Sequence, residues 1–470
     1  MSSSVMTNDL ESSLGIKIII SDTPTDEEIM EKYMPSMWAN EEKHILDENT
    51  FAKAFTEVEN LRYYNGVFFT RRGRVSEEFL LREIWESVAP VGINKDVERI
   101  CKKLLGAVKM AATVKHLTIN PNLIPFSNGD FYTDTMEFHL GEFAPTAYRL
   151  KAPLRREFEP IPYFTRWLKS LISAEDIPVL RQYLAYTLLP TTRGQKALFL
   201  VGEGGGGKSG IGVILEEIFG DAMISTLNSQ EFMTDKFKAA ELENKLVLYD
   251  DDLDNKALEG TGLYKKLITN NLVISADRKY GQPFSFTPYA RLITCCNEMI
   301  SASDTTDGFY RRLLPIKTLP KPKDFVPDPH YYDHLRDEVN GIVQWLLFGL
   351  NALIDNNFVL PESERTKAYL EGKKRYDNPF PDFFSDVFEP CDEDGTTLGE
   401  IISAFKSWCK ENSVPYKTQA EIKRWFDDNA ERGQYEGYSQ KVYRNGKRVR
   451  GYRFIRIKQI YSNSGKITLI

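Results

Sequence analysis

The stretch Lys196-Ala-Leu-Phe-Leu-Val-Gly202-Glu-Gly-Gly-Gly-Gly-Lys208-Ser209-Gly-Ile-Gly-Val-Ile-Leu-Glu-Glu-Ile-Phe-Gly220 decides the reading of this chain. A strand-sized apolar run leads into a segment that fits GxxxxGK[ST], and a helical stretch follows, the context in which this motif cradles phosphate. Glycines let the backbone turn its N–H groups onto phosphate oxygens without Cβ clashes, and the helix N-terminus adds positive potential. Lys208 reaches the terminal phosphates and the Ser209 hydroxyl can ligate Mg²⁺. The expected nucleotide-binding set is Gly202, Gly204, Gly205, Gly206, Gly207, Lys208, Ser209 and Gly210.

A phosphate loop alone leaves kinases, GTPases, motors and transporters open. Downstream, the apolar run Leu246 to Tyr249 ends at Asp250-Asp251-Asp252, 42 residues from Ser209 to Asp251. One carboxylate there can hold the Mg²⁺ shell and a neighbour can polarise the attacking water. The metal set is thus Ser209, Asp251 and Asp250, with Asp252 beside them. The strand ARLITCC ends at Asn297, whose amide can donate to a γ-phosphate or orient water. Fifteen residues on, Arg311 and Arg312 are suited to meet a phosphate across a subunit boundary.

Residues 196 to 318 alternate strand-like runs with helical ones, which predicts a layered α/β domain with a largely parallel sheet. Upstream, VSEEFLLREIWESV and NKDVERICKKLLGAVK carry apolar residues at helical spacing, and Asn128-Gly129 predicts a turn between extended stretches. Proline-bearing YDNPFPDFF marks a boundary near residue 380. The expected organisation is an acidic, partly ordered leader over 1–60, an α+β domain over 61–190, the phosphate-loop core over 191–345, a helical lid or linker over 346–380 and a basic domain over 381–470.

Composition narrows the partners. The chain has 470 residues, 60 basic and 67 acidic, for a net charge of −7, so bulk charge does not attach it to nucleic acid and any such surface must be local. The first fifty residues hold eleven acids against Lys17, Lys32 and Lys43. Residues 441 to 458, KVYRNGKRVRGYRFIRIK, hold eight cations and no acid, and Asn445-Gly446 joins two extended runs. Helix, helix, basic hairpin is the outline of a winged helix, in which Lys423 and Arg424 would reach a groove and Arg448 and Arg450 the phosphates.

No apolar run approaches the roughly 20 residues of a membrane span, and the N-terminus lacks the features of a secretory signal, so a cytoplasmic location is expected. Five cysteines without a CxxC pair fit a reducing compartment and give no structural zinc. His330 and His334, four apart in HYYDH, read as surface histidines for want of a third ligand.

The block GEGGGGKS, LENKLVLYDDDLD, ISADRKYGQPFSFTPYARLITCCNEM and DGFYRRLLPIKT, in that order and spacing, resembles the superfamily 3 helicases, in the primase-helicase branch of satellite phages and poxviruses. The resemblance runs from about residue 61 to 380. It implies an AAA+ ATPase that closes into a ring, usually a hexamer, and moves 3′-to-5′ along one DNA strand while hydrolysing ATP with Mg²⁺ at subunit interfaces. It matches Lys208 and Ser209 to the phosphate-loop pair, Asp251 and Asp252 to the acidic pair, Asn297 to the sensor, and Arg312, better than Arg311, to the trans-acting finger. Asp250 is an extra acid that leaves the assignment within the triplet open. The family's channel hairpin falls at Arg278-Lys279-Tyr280-Gly281, where a cation beside an aromatic ring can grip a phosphate and stack on a base.

Many relatives carry an N-terminal primase domain, whereas only about sixty residues, acidic on balance, precede the similar region here. Primase activity is therefore not expected of this chain, unless a separate polypeptide supplies it. The leading expectation is a self-loading replication initiator and helicase of a phage, plasmid or mobile element, acting on single- and double-stranded DNA with host replication proteins as further partners. Two alternatives stay open: an ATP-controlled origin-binding initiator without processive unwinding, and a metabolic P-loop kinase.

Overall fold

The computed structural model describes residues 9–20, 35–40, 45–64, 66–70, 73–92, 95–115, 117, 119–227, 235–251, 253, 261–269, 273–277, 283–300, 307–321, 326 and 328–458. The chain divides into two compact units, Met1–Asp304 with Arg311–Thr366, and Thr305–Tyr310 with Lys367–Ile470.

The first unit begins with α1 (Leu10–Leu14) and β1 (Lys17–Ile20). Leu10, Leu14 and Ile16 are buried, so part of the acidic N-terminal segment belongs to the core instead of lying in solvent. A satellite core, built on Trp38, Phe51, Phe55, Leu80, Ile84, Leu104 and Val108, joins α2 (Glu48–Val58), the antiparallel strands β2 (Arg62–Tyr64), β3 (Val67–Thr70) and β4 (Gly73–Val75), α3 (Glu77–Val88) and α4 (Val97–Ala112). Asp47 and Ser76 start α2 and α3 by accepting from the first free backbone N–H groups.

A second sheet runs β1-β7-β6-β5, formed by β5 (Leu123–Phe126), β6 (Gly129–Tyr132) and β7 (Glu137–Leu140) with β1 parallel to β7. The turn between β5 and β6 falls on Ser127-Asn128, one residue before the Asn-Gly pair, because Gly129 is already paired with Phe126. Gly129 answers a different need: a Cβ there would lie 2.4 Å from the His139 carbonyl oxygen on β7. Asn128 anchors the turn by donating to and accepting from the Leu154 backbone at 2.9 and 2.8 Å.

Next come α5 (Pro162–Leu171) and α6 (Ile177–Tyr186), then the central sheet. Its strands are β8 (Ala197–Val201), followed by α7 (Gly210–Phe219), then β9 (Ile224–Ser225), β10 (Val247–Asp250), β13 (Arg291–Cys296) and β14 (Leu313–Lys317). The order is β9-β10-β13-β8-β14 and every pairing is parallel. β8 is buried throughout, which explains why it reads as an unbroken apolar run without alternation, and β13 is equally buried although it carries Arg291 and Thr294. Between β10 and β13 stands an antiparallel pair, β11 (Ile274–Ala276) with β12 (Phe284–Phe286). Its tip, with Arg278, Lys279 and Tyr280, lies outside the described residues, as does Asp252.

α8 (Tyr331–Asp337) and α9 (Val339–Asp355) complete this unit. One apolar core runs from Leu10 to Leu360 and crosses residue 190 without a break, so the α+β part and the parallel sheet are a single packed body. Gln344, buried in α9, ties the approach to α5 by accepting from Glu159 N–H and donating to the Arg155 and Glu157 carbonyls.

The change of unit falls inside α10 (Glu364–Asp377), ahead of the proline-marked segment near 380. The second unit holds α11 (Phe380–Val387), β15 (Phe388–Thr397), α12 (Leu398–Asn412), α13 (Gln419–Asp428), β16 (Glu436–Arg444) and β17 (Lys447–Ile457). Thr397 with Glu400 and Thr418 with Glu421 form capping boxes that start α12 and α13. The strands make an antiparallel sheet ordered β15-β17-β16. Its core is aromatic, with Phe383, Phe405, Trp408, Phe426 and Tyr452 in contact around Ile401 and Ile422. Asn445-Gly446 forms the turn from β16 to β17, both residues at positive φ (51° and 73°), as a tight two-residue hairpin requires. Among the described residues no helix is long and apolar enough to cross a membrane.

Candidate functional site: a glycine loop at the strand ends

The loop 202–209 connects the C-terminal end of β8 to the N-terminus of α7, so its amides gather where the helix dipole is positive. Gly202 N–H donates to the Cys296 carbonyl at 3.0 Å, which binds the start of the loop to the end of β13. A side chain there would force Thr318 to move, since a Cβ would lie 1.8 Å from Thr318 Oγ1. Gly205 and Gly207 take φ of 72° and 90°, the left-handed region in which glycine avoids the Cβ penalty.

Lys208 is 8% exposed, and its ammonium lies within the loop, donating to the Gly202 carbonyl at 2.5 Å and the Glu203 carbonyl at 3.0 Å. The Ser209 hydroxyl donates to Asp251 Oδ2 at 3.3 Å, and the Tyr249 hydroxyl donates to Asp251 Oδ1 at 2.6 Å. Of the two described acids of the triplet, Asp251 is therefore the one whose carboxylate meets Ser209. Asp250 is buried as the last residue of β10. Asn297, one residue past β13, lines the same cavity as the loop. Burial pushes the Cys295 and Cys296 thiols up to about 12, which keeps them neutral beside the loop.

Loop, Asp251 and Asn297 thus converge at the C-terminal ends of three adjacent strands, the crevice where open α/β sheets bind ligands. Arg311 and Arg312 do not join them. The Arg312 carbonyl accepts from Ala197 N–H at 2.8 Å, at the N-terminal end of β8 and β14. Five residues of strand, at about 3.3 Å each, separate that edge from the loop by roughly 16 Å.

The cavity holds about 860 Å³. Its second wall comes from residues the sequence did not single out: Tyr163 and Trp167 on α5, and Tyr331 and Tyr332 on α8. α5 is fixed by Glu338, whose carboxylate accepts from Tyr163 N–H at 2.9 Å and Phe164 N–H at 2.7 Å. The Tyr331 hydroxyl donates to the Gly207 carbonyl at 2.8 Å. Tyr331 lies in the HYYDH segment, but only its histidines carried a signal in sequence. His334 stands 3.7 Å from Asp328 and His330 3.6 Å from Asp333, and among the described residues no group of three metal-ligating side chains assembles.

Residues 200–312 match the model of a family described as a Family of unknown function (DUF5906). This segment spans the glycine loop, Asp251 and Asn297 and ends at Arg312. Over 262 residues the chain is 25% identical to "Putative helicase L207/L206" of Acanthamoeba polyphaga mimivirus, an alignment covering 50% of this chain and 27% of that protein. The chain thus spans about a quarter of the length of that curated relative. Among solved structures, the apo structure of the NrS-1 C terminal region (305-718) is similar with a TM-score of 0.51 and 14% identity, covering 87% of this chain and 99% of the other. The A form apo structure of the same region gives a TM-score of 0.49 at 14% identity, over 83% and 94% of the two chains. At this identity the likeness is one of fold.

In the second unit, the basic hairpin separates into two groups. Arg444 donates from Nε to Glu400 at 2.7 Å and also pairs with Asp394, Arg453 pairs with Glu436 at 3.5 Å, Arg456 pairs with Glu389 at 2.8 Å, and Lys458 donates to the Ser385 carbonyl. Those four hold the fold together. Lys441, Lys447, Arg448 and Arg450 are exposed, as is Arg424 on α13. Lys423 pairs with Asp427, and its ammonium lies 4.8 Å from the Tyr438 ring, over which Arg450 also stands at 5.9 Å.

Proposed function

We propose that this chain is an ATP-hydrolysing DNA helicase that serves replication of a phage, plasmid or other mobile element. In this reading it belongs with the superfamily 3 AAA+ enzymes, works as a homo-hexameric ring and travels 3′-to-5′. The observation that carries the reading is the convergence of Lys208, Ser209, Asp251 and Asn297 on one cavity at the carboxyl ends of adjacent parallel strands. The helicase name of the mimivirus relative supports the same direction.

On nucleotide binding the Lys208 ammonium exchanges its two loop carbonyls for terminal phosphate oxygens. The Ser209 hydroxyl and Asp251 carboxylate, 3.3 Å apart, offer the hard oxygen donors that suit Mg²⁺. The ion supplies charge neutralisation at the phosphates when bound. Asp252 or Asp250 polarises the attacking water, and Asn297 holds it or the γ-phosphate by its amide. Arg312, with Arg311 beside it, lies too far from its own loop to touch the same nucleotide and serves a neighbour's in a ring. Arg278, Lys279 and Tyr280 grip the strand in the channel. The second unit acts as a winged-helix-like DNA-binding module through Arg424, Arg448 and Arg450, with Lys423 at its margin. A separate primase or host replication proteins supply the remaining steps.

Strand displacement on forked DNA tests the proposal. The wild type unwinds with ATP and Mg²⁺, and single-stranded DNA stimulates its ATPase. Lys208→Ala abolishes both activities, and unwinding that survived this change would refute the assignment. The exposed cations of the β16–β17 hairpin favour one second reading, an ATP-controlled origin-binding initiator. An initiator of that kind binds duplex DNA but displaces no long annealed strand.

A further inference from the structure

The cavity that holds the glycine loop is lined by the loop, Asp251 and Asn297 and by aromatic residues packed against the loop. Trp167 and Tyr331 press on the loop where it lacks side chains. A Cβ at Gly210 would lie 2.0 Å from the Tyr331 hydroxyl and 2.9 Å from the Trp167 ring, and one at Gly207 would lie 3.2 Å from Trp167 Nε1. Trp167 is 8% exposed, and its Nε1 donor completes no hydrogen bond. The Tyr332 ring lies beside that of Tyr331, with centroids 4.6 Å apart, and is 42% exposed. These rings come from α5 and α8, outside the 200–312 segment that the family model covers.

We propose that Trp167, Tyr331 and Tyr332 form the seat of a nucleobase, in a nucleoside triphosphate whose phosphates rest on Gly204–Ser209. The inference rests on the nucleotide reading of the loop and adds the part of the ligand that the loop cannot recognise. Three features carry it. Three aromatic rings, tilted by 42° and 45° from one to the next, and a phosphate cradle share one cavity of about 860 Å³, which is within the size range of small-molecule sites. The buried Trp167 donor at the loop face remains for an oxygen of the ligand. The Tyr331–Gly207 hydrogen bond couples the aromatic wall to the loop, so a base seated on the wall is registered against the phosphates. Stacking tolerates any base because every base has a π-face, so the affinity order is purine, then pyrimidine, then phosphate chain without a base.

Equilibrium binding to the full chain with Mg²⁺, using ATP and inorganic tripolyphosphate as paired probes, tests this without recourse to turnover. Tyr332→Ala and Trp167→Ala weaken ATP about tenfold, as loss of one stacking contact implies, and leave tripolyphosphate within about twofold. Trp167→Phe, which keeps a ring but lacks the Nε1 donor, recovers only part of the ATP affinity. Tyr332 is exposed, so its replacement keeps the test independent of folding. Equal weakening of both probes, or unchanged ATP binding, overturns the base seat. A wild type that binds tripolyphosphate as tightly as ATP overturns the seat and leaves the phosphate loop standing. Binding of neither probe overturns both.

Discussion

Replacing Tyr249 by phenylalanine removes one oxygen atom from the end of β10 and tests whether Asp251 is held for Mg²⁺. That hydroxyl donates to Asp251 Oδ1 at 2.6 Å and meets Cys295 Sγ at 3.6 Å, while the ring packs on α7 where a Cβ at Gly212 would lie 2.7 Å from it. The ring and its packing survive the change, so the loss is confined to the hydrogen bond. A hydrogen bond to a charged group contributes about 1.5–3 kcal/mol, and Asp251 is exposed, so water replaces the phenol and the lower end applies. About 1.4 kcal/mol is a tenfold change in an equilibrium. The Mg²⁺ concentration for half-maximal ATP turnover therefore rises about tenfold, with kcat at saturating Mg²⁺ nearly retained. Mn²⁺ binding in the presence of ADP, followed by electron paramagnetic resonance, shows the same shift without turnover. An unchanged Mg²⁺ midpoint, or a fall in kcat that excess Mg²⁺ does not relieve, refutes the positioning argument.

Three further outcomes follow from buried or capping charges. In the first unit Asp130 is fully buried and accepts from Arg149 Nη1 at 2.7 Å and Ala144 N–H at 2.6 Å, so Arg149→Met strands a buried carboxylate. Urea denaturation should show a loss of about 3–5 kcal/mol, and a loss below about 1 would contradict it. In the second unit Arg444 neutralises Glu400, which is 7% exposed, but is itself partly in water. Arg444→Ala lowers stability by about 2 kcal/mol, read from tryptophan fluorescence, whereas Arg448→Ala leaves it within about 0.5. The Thr418 hydroxyl and backbone N–H hold the Glu421 carboxyl below its ordinary value of 4.5. Its folded pKa is depressed, so the stability it contributes to the start of α13 is present above pH 4.5 and is lost as pH falls through the lower folded value. The carboxyl carbon shift of Glu421 should titrate below 4.5, and a midpoint at or above that value would count against the capping role.

The residues around the glycine loop show how far local signals reach. GEGGGGKS was legible because strand, loop and helix are fixed within about twenty consecutive residues, and φ values, free amides and the helix dipole are properties of that segment alone. Asn445-Gly446 was legible for the same reason, since the tight turn needs positive φ at both positions. Which acid of the triplet faces Ser209 was not, because Asp250 and Asp251 differ only in whether they end the strand buried or leave it exposed.

Sequence by itself determined where the glycine loop stands between strand and helix, that a parallel α/β core surrounds it, and that a basic hairpin closes the described chain. Tertiary structure alone decided what covers the loop, which cations of the hairpin are spent on internal carboxylates, and that β1 pairs with β7 across more than a hundred residues. The turn at Ser127-Asn128 belongs to the second class too, because the pull on Gly129 comes from a carbonyl on another strand. Backbone propensity and hydrogen bonding act over a few residues, whereas burial, ion pairing and close approach depend on partners that only the packed fold brings within a few ångströms.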